Sequence, residues 1–204
     1  MAGSQTVTRV ETIDKKKSRI FLDEEYAFFL YASEIRQYKI AEGVTLSEET
    51  ILKIRKDCVR HHAVRKAMSL LKTMDRTEKE LTDRLRREGF PEDAVMEALA
   101  YVMSYGYVDD ASYADRYVYS QKEKMSLRTI RQKLLLKGIA ADVIETAISE
   151  NEVSEDDALE KAIVKKTHGV LPEEPKEKQK LVRYLLSKGF PYGQVARALS
   201  VEEE

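Results

Sequence analysis

The chain has 204 residues, and 35 Lys and Arg nearly balance 36 Asp and Glu, so the formal net charge at pH 7 is −1. Hydrophobic residues make up 43% of the chain, which argues against a disordered protein because disordered chains have too few apolar side chains to offset the entropy lost on folding. The low counts of 8 Gly and 4 Pro disfavour glycine-rich nucleotide loops and turn-dense all-β folds. The composition therefore favours long helices.

Residues 1–46 are predicted to form a β-rich extension with a short helix. The segments TVTRVETI and SRIFLDEEYAFFLYA contain many β-branched and aromatic residues, which are frequent in strands. We expect a small hairpin or a sheet of two or three strands. Ser33 is expected to cap a helix that continues to about Ala41, and Gly43 is expected to be its left-handed stop.

Residues 47–75 are predicted to form a long connecting helix. Ser47 is a favourable N-cap, and Glu48 and Glu49 follow it where the helix dipole favours negative charge. Apolar residues then recur at helical spacing until about Met74. This predicted stripe consists of Ile51, Ile54, Cys58, Val59, Ala63, Ala67, Leu70 and Leu71.

An internal repeat covers the rest of the chain. Gly89, Gly138 and Gly189 are separated by 49 and 51 positions, and like apolar residues stand four and eight positions before each Gly and six, nine and ten positions after it. The i and i+4 spacing predicts a helix on either side of a glycine turn. A third helix is predicted to start at Asp109 in the first unit and near Ser154 in the second.

The predicted fold is mainly α, with tandem three-helix repeats that form an elongated array after the small N-terminal sheet. The units are assigned to residues 76–124, 125–170 and 171–204, and the last of them is predicted to lack a third helix.

Charge is strongly segmented along these repeats. Residues 51–90 carry a net +6 and residues 91–110 a net −5, and the pattern recurs with +5 over 111–140 and −8 over 141–160. The first helix of each repeat is therefore basic. Its candidate contacts with a partner or with DNA are Arg84, Arg86, Arg87, Arg128, Arg131, Lys133 and Lys137. The alternative is that these residues only solvate exposed helix faces through pairs at i,i+4.

A helix-turn-helix interpretation is disfavoured by the same charges. In that motif the second helix enters the major groove. Here the second helices are acidic, and phosphates would repel them. The acidic residues are Glu92, Asp93 and Glu97 in the first unit and Asp142, Glu145 and Glu150 in the second.

Neither a metal site nor a catalytic site is predicted. Cys58, His61 and His62 are neighbours, but only His168 remains to complete a tetrahedral set, so an ordinary helix surface is the better interpretation. Asp109 and Asp110 are better explained as helix-capping residues than as an acid–base pair. No Walker-type loop and no G-x-G-x-x-G motif is found, so we expect a protein without cofactor and without enzymatic activity.

The location is predicted to be cytoplasmic. The longest nearly continuous apolar stretch, Tyr26 to Ala32, is far shorter than the roughly 20 residues of a membrane-spanning helix. The first 13 residues do not have the pattern of a secretory signal. A single cysteine excludes an intrachain disulfide, as is expected in a reducing compartment.

Six tyrosines are crowded into the first repeat and allow two interpretations. They are Tyr101, Tyr105, Tyr107, Tyr113, Tyr117 and Tyr119. Single-strand binders stack bases on such rings, yet helical spacing is equally expected of packing between helices. Packing is favoured for most of them, and one or two are left open as contact residues.

The sequence resembles the RecX family of regulatory proteins, which modulate the RecA recombinase. The resemblance rests on RTEKELTDRLRREGF, on VDDASYADRYV and on the second L-x-x-KG unit at Gly138. Asp109, Asp110, Tyr113 and Ala114 form a DD-x-x-YA element that is fairly specific in this combination. YAFFLYASEIRQYKIAEGVTLSEETI is similar to the N-terminal extension of longer family members.

This resemblance implies a non-enzymatic protein of homologous recombination, DNA repair and the SOS response, and we expect a monomer. It would bind RecA filaments on single-stranded DNA and limit their growth, ATP hydrolysis and strand exchange. The alternative is a direct DNA-binding protein that competes for the single strand. One departure from the repeat pattern is Ala140, which stands where the other two units have Pro.

Overall fold

The computed structural model describes residues 3–199 and divides into two compact units, one ending at Val108 and the next starting at Asp109. The described chain is mostly helical, with one antiparallel sheet near its start. No helix within residues 3–199 is long and apolar enough to span a membrane. The predicted fold class of tandem helical repeats after a small sheet is confirmed.

The sheet has four strands rather than two or three. They are β1 (Ser4–Thr12), β2 (Lys17–Leu22), β3 (Glu25–Tyr31) and β4 (Thr45–Ser47), in the order β3-β2-β1-β4 with antiparallel pairing. The sequence does not predict β4, because this strand has only three residues, lies directly before a helix and so shows no alternation of apolar and polar residues.

The short helix α1 (Ala32–Gln37) starts earlier and ends earlier than predicted. Its N-cap is Tyr31 and not Ser33, because the Glu34 carboxylate reaches back and accepts the Tyr31 backbone N–H at 2.8 Å. Gly43 has φ +83° but donates its N–H to the Val7 carbonyl at 2.8 Å. Gly43 thus lies in a turn bonded to β1, beyond the end of α1 at Gln37, and does not stop the helix.

The connecting helix consists of α2 (Glu48–Ile54), a π-helical turn (Arg55–Val59) and α3 (Arg60–Leu71). Its predicted cap is confirmed, since the Ser47 hydroxyl accepts the Thr50 N–H at 3.2 Å. The predicted apolar stripe is also confirmed, because its residues are buried from Ile51 to Ala67 and half-buried at Leu70 and Leu71.

The first unit has one hydrophobic core. α4 (Glu78–Arg87) and α5 (Glu92–Ser104) pack with α3, and the buried residues of these helices are continuous with those of the sheet. The sheet is therefore supported by helices, as a small sheet needs to be.

The second unit has two hydrophobic cores, each made by three helices. The first contains α6 (Asp110–Gln121), α7 (Leu127–Leu136) and α8 (Ala141–Glu150). The second contains α9 (Glu155–Thr167), α10 (Pro175–Ser187) and α11 (Tyr192–Leu199). The repeat units expected from the sequence at 76, 125 and 171 remain a prediction; each of them begins with the second helix of a packing group, namely α4, α7 or α10.

The predicted helix caps and glycine turns are confirmed. Asp109 accepts the Ser112 N–H at 3.0 Å, and Ser154 accepts the Asp157 N–H at 3.0 Å. Gly89, Gly138 and Gly189 all have φ close to +87°, a conformation that favours glycine because it has no Cβ.

Candidate partner-binding surfaces

The arginines of α4 lie on its outer face. Thr77 and Glu80 form a capping box at its start, with the Thr77 hydroxyl accepting the Glu80 N–H at 3.2 Å. Leu81 and Leu85 are fully buried. Because these two leucines fix which face of the helix points inward, Arg84, Arg86 and Arg87 point outward and are exposed.

Each arginine of α4 is nevertheless engaged within its own unit. Arg84 forms a salt bridge with Glu88 at 2.8 Å. The Arg86 guanidinium donates two hydrogen bonds of 2.9 and 2.6 Å to the Glu92 carboxylate, and this contact lowers the pKa of Glu92. Arg87 donates from Nε to the Asp83 carbonyl at 3.1 Å. These contacts fit the interpretation in which the arginines solvate a helix face.

The basic residues of α7 are only partly engaged. Arg131 donates to both carboxylate oxygens of Glu145 at 2.7 and 2.9 Å, and this contact lowers the pKa of Glu145. Arg128 and Lys133 are exposed and form no salt bridge with any residue in the described range. These two cations can bind an external anion without first breaking an internal pair.

The last candidate on this helix, Lys137, lies beside an aromatic ring. Its Nζ is 5.2 Å from the ring centroid of Tyr113, a cation–π contact between the end of α7 and the first turns of α6. Tyr113 is half-buried against the core of its three-helix group. Lys137 and Tyr113 thus have a packing role that the sequence pattern did not reveal.

The start of α7 is covered by the glycine turn between α10 and α11. The Lys188 carbonyl accepts the Ser126 N–H at 3.1 Å and the Thr129 hydroxyl at 3.2 Å. A Cβ on Gly189 would lie 1.9 Å from the Thr129 hydroxyl oxygen. Gly189 is therefore required for its φ and also for close contact with the neighbouring helix group.

The six tyrosines divide into packed and exposed ones. Tyr113 and Tyr117 are half-buried and stacked at 6.4 Å, so the packing interpretation holds for them. The other four are exposed, namely Tyr101, Tyr105, Tyr107 and Tyr119. More rings are therefore available for contact than the one or two left open from the sequence.

His62 is buried and does not lie on an ordinary helix surface as expected. Its Nε2 is 2.8 Å from Glu34 Oε1, and its ring stacks on Phe29 at 5.8 Å. Burial lowers the pKa of His62, against the opposing effect of the Glu34 carboxylate. The sequence could not show this pair because its partners are 28 residues apart. The pair joins α1 to α3 and has a structural role.

The other residues considered for metal binding or catalysis also have structural surroundings. Cys58 is buried, and desolvation raises the pKa of its thiol to about 11, which opposes thiolate chemistry. Asp109 accepts hydrogen bonds from Ser112, and these lower its pKa. Within the part of the chain that is described, no three His, Cys, Asp or Glu residues are grouped as a metal site.

The helix groups coincide with known three-helix domains. Family models match residues 63–101 as the first, 109–148 as the second and 154–199 as the third three-helix domain of RecX. The chain belongs to the RecX family. The first matched RecX domain starts within α3, and the second and third start at Asp109 and Ser154, the N-cap residues of α6 and α9.

Relatives of similar length support this assignment to RecX. Regulatory protein RecX of Clostridium botulinum (strain Eklund 17B / Type B) is 32% identical in an alignment of 199 positions that covers 91% of each chain. Regulatory protein RecX of Clostridium perfringens (strain 13 / Type A) is 26% identical and covers 93% of this chain and 92% of its own. These relatives are named as regulatory proteins and not as enzymes.

Solved RecX structures have the same fold. A crystal structure of regulatory protein RecX has a TM-score of 0.56 and 26% identity, covering 97% of this chain and all of the other. The crystal structure of RecX from Lactobacillus salivarius has a TM-score of 0.53 and 22% identity over 71% of this chain and 98% of the other. The second likeness shows the fold alone.

Proposed function

We propose that this RecX-family chain binds RecA filaments on single-stranded DNA and inhibits their growth, ATP hydrolysis and strand exchange. The observation that carries the proposal is the match of three consecutive RecX domains between residues 63 and 199. Because a filament presents the same surface at regular intervals, tandem domains can bind successive subunits and gain effective concentration. The chain acts by binding, as a cytoplasmic monomer without cofactor.

Arg128 and Lys133 on α7 are the foremost contact candidates in this proposal. Both are exposed and without a salt bridge among the described residues. Arg86 and Arg131 already hold Glu92 and Glu145 in bidentate pairs. An external contact to these two arginines has to replace an existing pair, so it contributes less to binding.

The test is ATP hydrolysis by RecA on single-stranded DNA while this protein is titrated in. A matched titration measures its binding to the same strand without RecA. We expect loss of hydrolysis at substoichiometric protein, at concentrations where little bare strand is bound. Unchanged hydrolysis at saturating protein would contradict the proposal.

A second candidate function is direct binding to the single strand in competition with RecA. Two observations favour it. The rings of Tyr101, Tyr105 and Tyr107 are exposed, and Arg128 and Lys133 form no salt bridge among the described residues. Its signature is a steep salt dependence on bare DNA, because each neutralised phosphate contributes about 0.7 to the log–log slope on single strands. Loss of hydrolysis that parallels bare-strand occupancy would support this function over filament binding.

A further inference from the structure

A row of ion pairs follows the seam between the connecting helix and α5. Arg55 in the π-helical turn binds Asp93 at 2.6 Å, and Arg60 on α3 binds Glu97 at 3.0 Å. One turn further along α5 the acidic residue is replaced by Tyr101. At this end of the seam α5 therefore offers an aromatic ring and not a third carboxylate.

Arg65 lies at the same end of the seam and has no acidic partner. It lines one cleft together with Tyr101, the exposed His61 and Arg60, and the carboxylates of Glu34 and Asp57 line the same cleft. Within residues 3–199 it forms no salt bridge, in contrast to Arg55 and Arg60. Its charge is therefore available to an anion from outside the chain.

Three tyrosine rings follow one another at the end of α5. Tyr101 and Tyr105 have ring centroids 4.9 Å apart, and Tyr105 and Tyr107 stack at 6.1 Å with an angle of 23° between their planes. We call these three rings the tyrosine platform. Their exposed fractions are 37%, 63% and 53%, so the rings are not part of the core.

The backbone turn after α5 builds this arrangement. Gly106 has φ +69° and donates to the Met103 carbonyl at 2.9 Å, while the Tyr107 N–H donates to the Val102 carbonyl at 2.9 Å. This helix-ending turn brings Tyr107 back beside Tyr105. Val102 and Val108 on either side of the turn are buried and anchor it. The platform thus stands on a fixed part of the fold.

We propose that the tyrosine platform binds bases of a single-stranded nucleic acid by stacking, with Arg65 holding an adjacent phosphate. Every base has a π-face, so a series of exposed rings takes successive bases whatever their sequence. A clustered set of exposed aromatic rings marks a binding surface more often than a solvated face. The pairing of rings with an uncommitted cation matches the two parts of a nucleotide, the base and the phosphate.

This inference rests on the second candidate function, direct binding to the single strand, and deepens it by naming the residues of the site; it does not need the recombinase. A protein partner is the competing occupant, since Tyr and Arg are also frequent in protein interfaces. The test therefore has to distinguish binding to bases from binding to the phosphate backbone, and binding to a nucleic acid from binding to a protein.

The experiment measures fluorescence anisotropy of a labelled oligothymidine of about 20 nucleotides at low salt, without RecA. The comparison strand has the same phosphodiester backbone but abasic sugars. For the oligothymidine we expect Tyr105→Ala to weaken binding about tenfold, which is near the lower end for one stacked base. Tyr105→Phe keeps the ring and should bind like the unaltered chain.

Two further variants complete the design. Tyr119→Ala is the control, because Tyr119 is also exposed but belongs to α6 and to the other compact unit; the affinity of this variant should equal that of the unaltered chain. Arg65→Ala should lower the log–log salt slope by about 0.7, the contribution of one phosphate. The abasic strand should bind the unaltered chain and Tyr105→Ala equally weakly.

Three outcomes would overturn the proposal. The first is equal affinity of the unaltered chain for the abasic strand and the oligothymidine. The second is that Tyr105→Ala binds the oligothymidine as tightly as Tyr119→Ala does. The third is that Tyr105→Ala leaves strand binding intact but weakens inhibition of RecA, which would make the platform a protein contact. Failure of the proposed regulation of RecA would leave the anisotropy results unaffected.

Discussion

α4 and α7 occupy the same place in successive repeats and both are basic, yet they offer different charges to a partner. All three arginines of α4 are held within their own unit, by Glu88, by Glu92 and by the Asp83 carbonyl. On α7 a carboxylate holds Arg131, while Arg128 and Lys133 form no salt bridge within residues 3–199. The number of basic side chains on a helix is therefore a poor measure of how many of them are available to a partner.

The turns next to these helices differ as well. The turn after α4 is held by the sheet, because the Tyr26 hydroxyl donates to the Gly89 carbonyl at 2.5 Å. The start of α7 is instead covered by the Gly189 turn, which leaves no room for a Cβ. Repeats of one pattern thus use their glycine turns for different contacts.

The largest effect is expected from Gly189→Ala, which breaks the cover over α7. The new methyl group would collide with the Thr129 hydroxyl, and alanine would also have to adopt a positive φ. Overpacking together with this backbone cost should lower the free energy of unfolding of the second unit by about 3 kcal/mol. Chemical denaturation followed by circular dichroism measures the loss.

Gly169→Ala is the matched control for that substitution. Gly169 also has a positive φ and lies in the same unit, but nothing lies within 4 Å of its added Cβ. We expect a loss of only about 1 kcal/mol, the cost of the backbone conformation. Equal losses in the two variants would mean that the contact with Thr129 does not matter for stability.

The next effect concerns the difference in charge between the two basic helices. The double variant Arg128→Glu with Lys133→Glu should raise the concentration for half-inhibition of RecA ATP hydrolysis about tenfold, as loss of two uncommitted cations would. The double variant Arg84→Glu with Arg86→Glu changes the charge equally on α4, where both arginines have internal partners, and should have a smaller effect. A reversed order would show that α4 is the contact helix.

A smaller effect is expected from Tyr26→Phe, which removes the link between the sheet and the Gly89 turn. The variant keeps the ring, which packs edge-on against Phe21 at 5.8 Å, and loses only the hydroxyl. One lost hydrogen bond should lower the free energy of unfolding by about 1 kcal/mol. Urea denaturation is the measurement, and no change would mean that the turn is held by its own helices alone.

The sequence predicted the repeating parts of this fold best. Gly89, Gly138 and Gly189 and the caps at Asp109 and Ser154 were found because a local pattern of a few residues specifies them. The glycines mark the turn inside each helix group and do not indicate which third helix packs with it, so the repeat pattern alone does not assign that third helix. Packing partners depend on contacts between distant residues.

The candidate surfaces were less predictable for the same reason. In the sequence Arg86, Arg131, Arg128 and Lys133 are all basic residues on basic helices. Only the folded positions of Glu92 and Glu145 show that Arg86 and Arg131 have carboxylate partners. The burial of His62 against Glu34 likewise depends on a contact across 28 residues.

The smallest effect is expected from the ion pair between Arg131 and Glu145. In this pair a carboxylate holds an arginine of α7, as Glu92 holds Arg86 of α4. Both side chains are partly exposed, at 39% and 55%, so solvent and salt weaken their attraction. A double-mutant cycle with Arg131→Gln and Glu145→Gln should give a coupling of about 0.5 kcal/mol. Because Arg131 lowers the pKa of Glu145 below its ordinary value, this stabilisation is present above that ordinary value and is lost as the pH falls through the lowered one. A coupling that persists in acid, or that exceeds the effect of Tyr26→Phe, would contradict the view of this pair as a solvated surface contact.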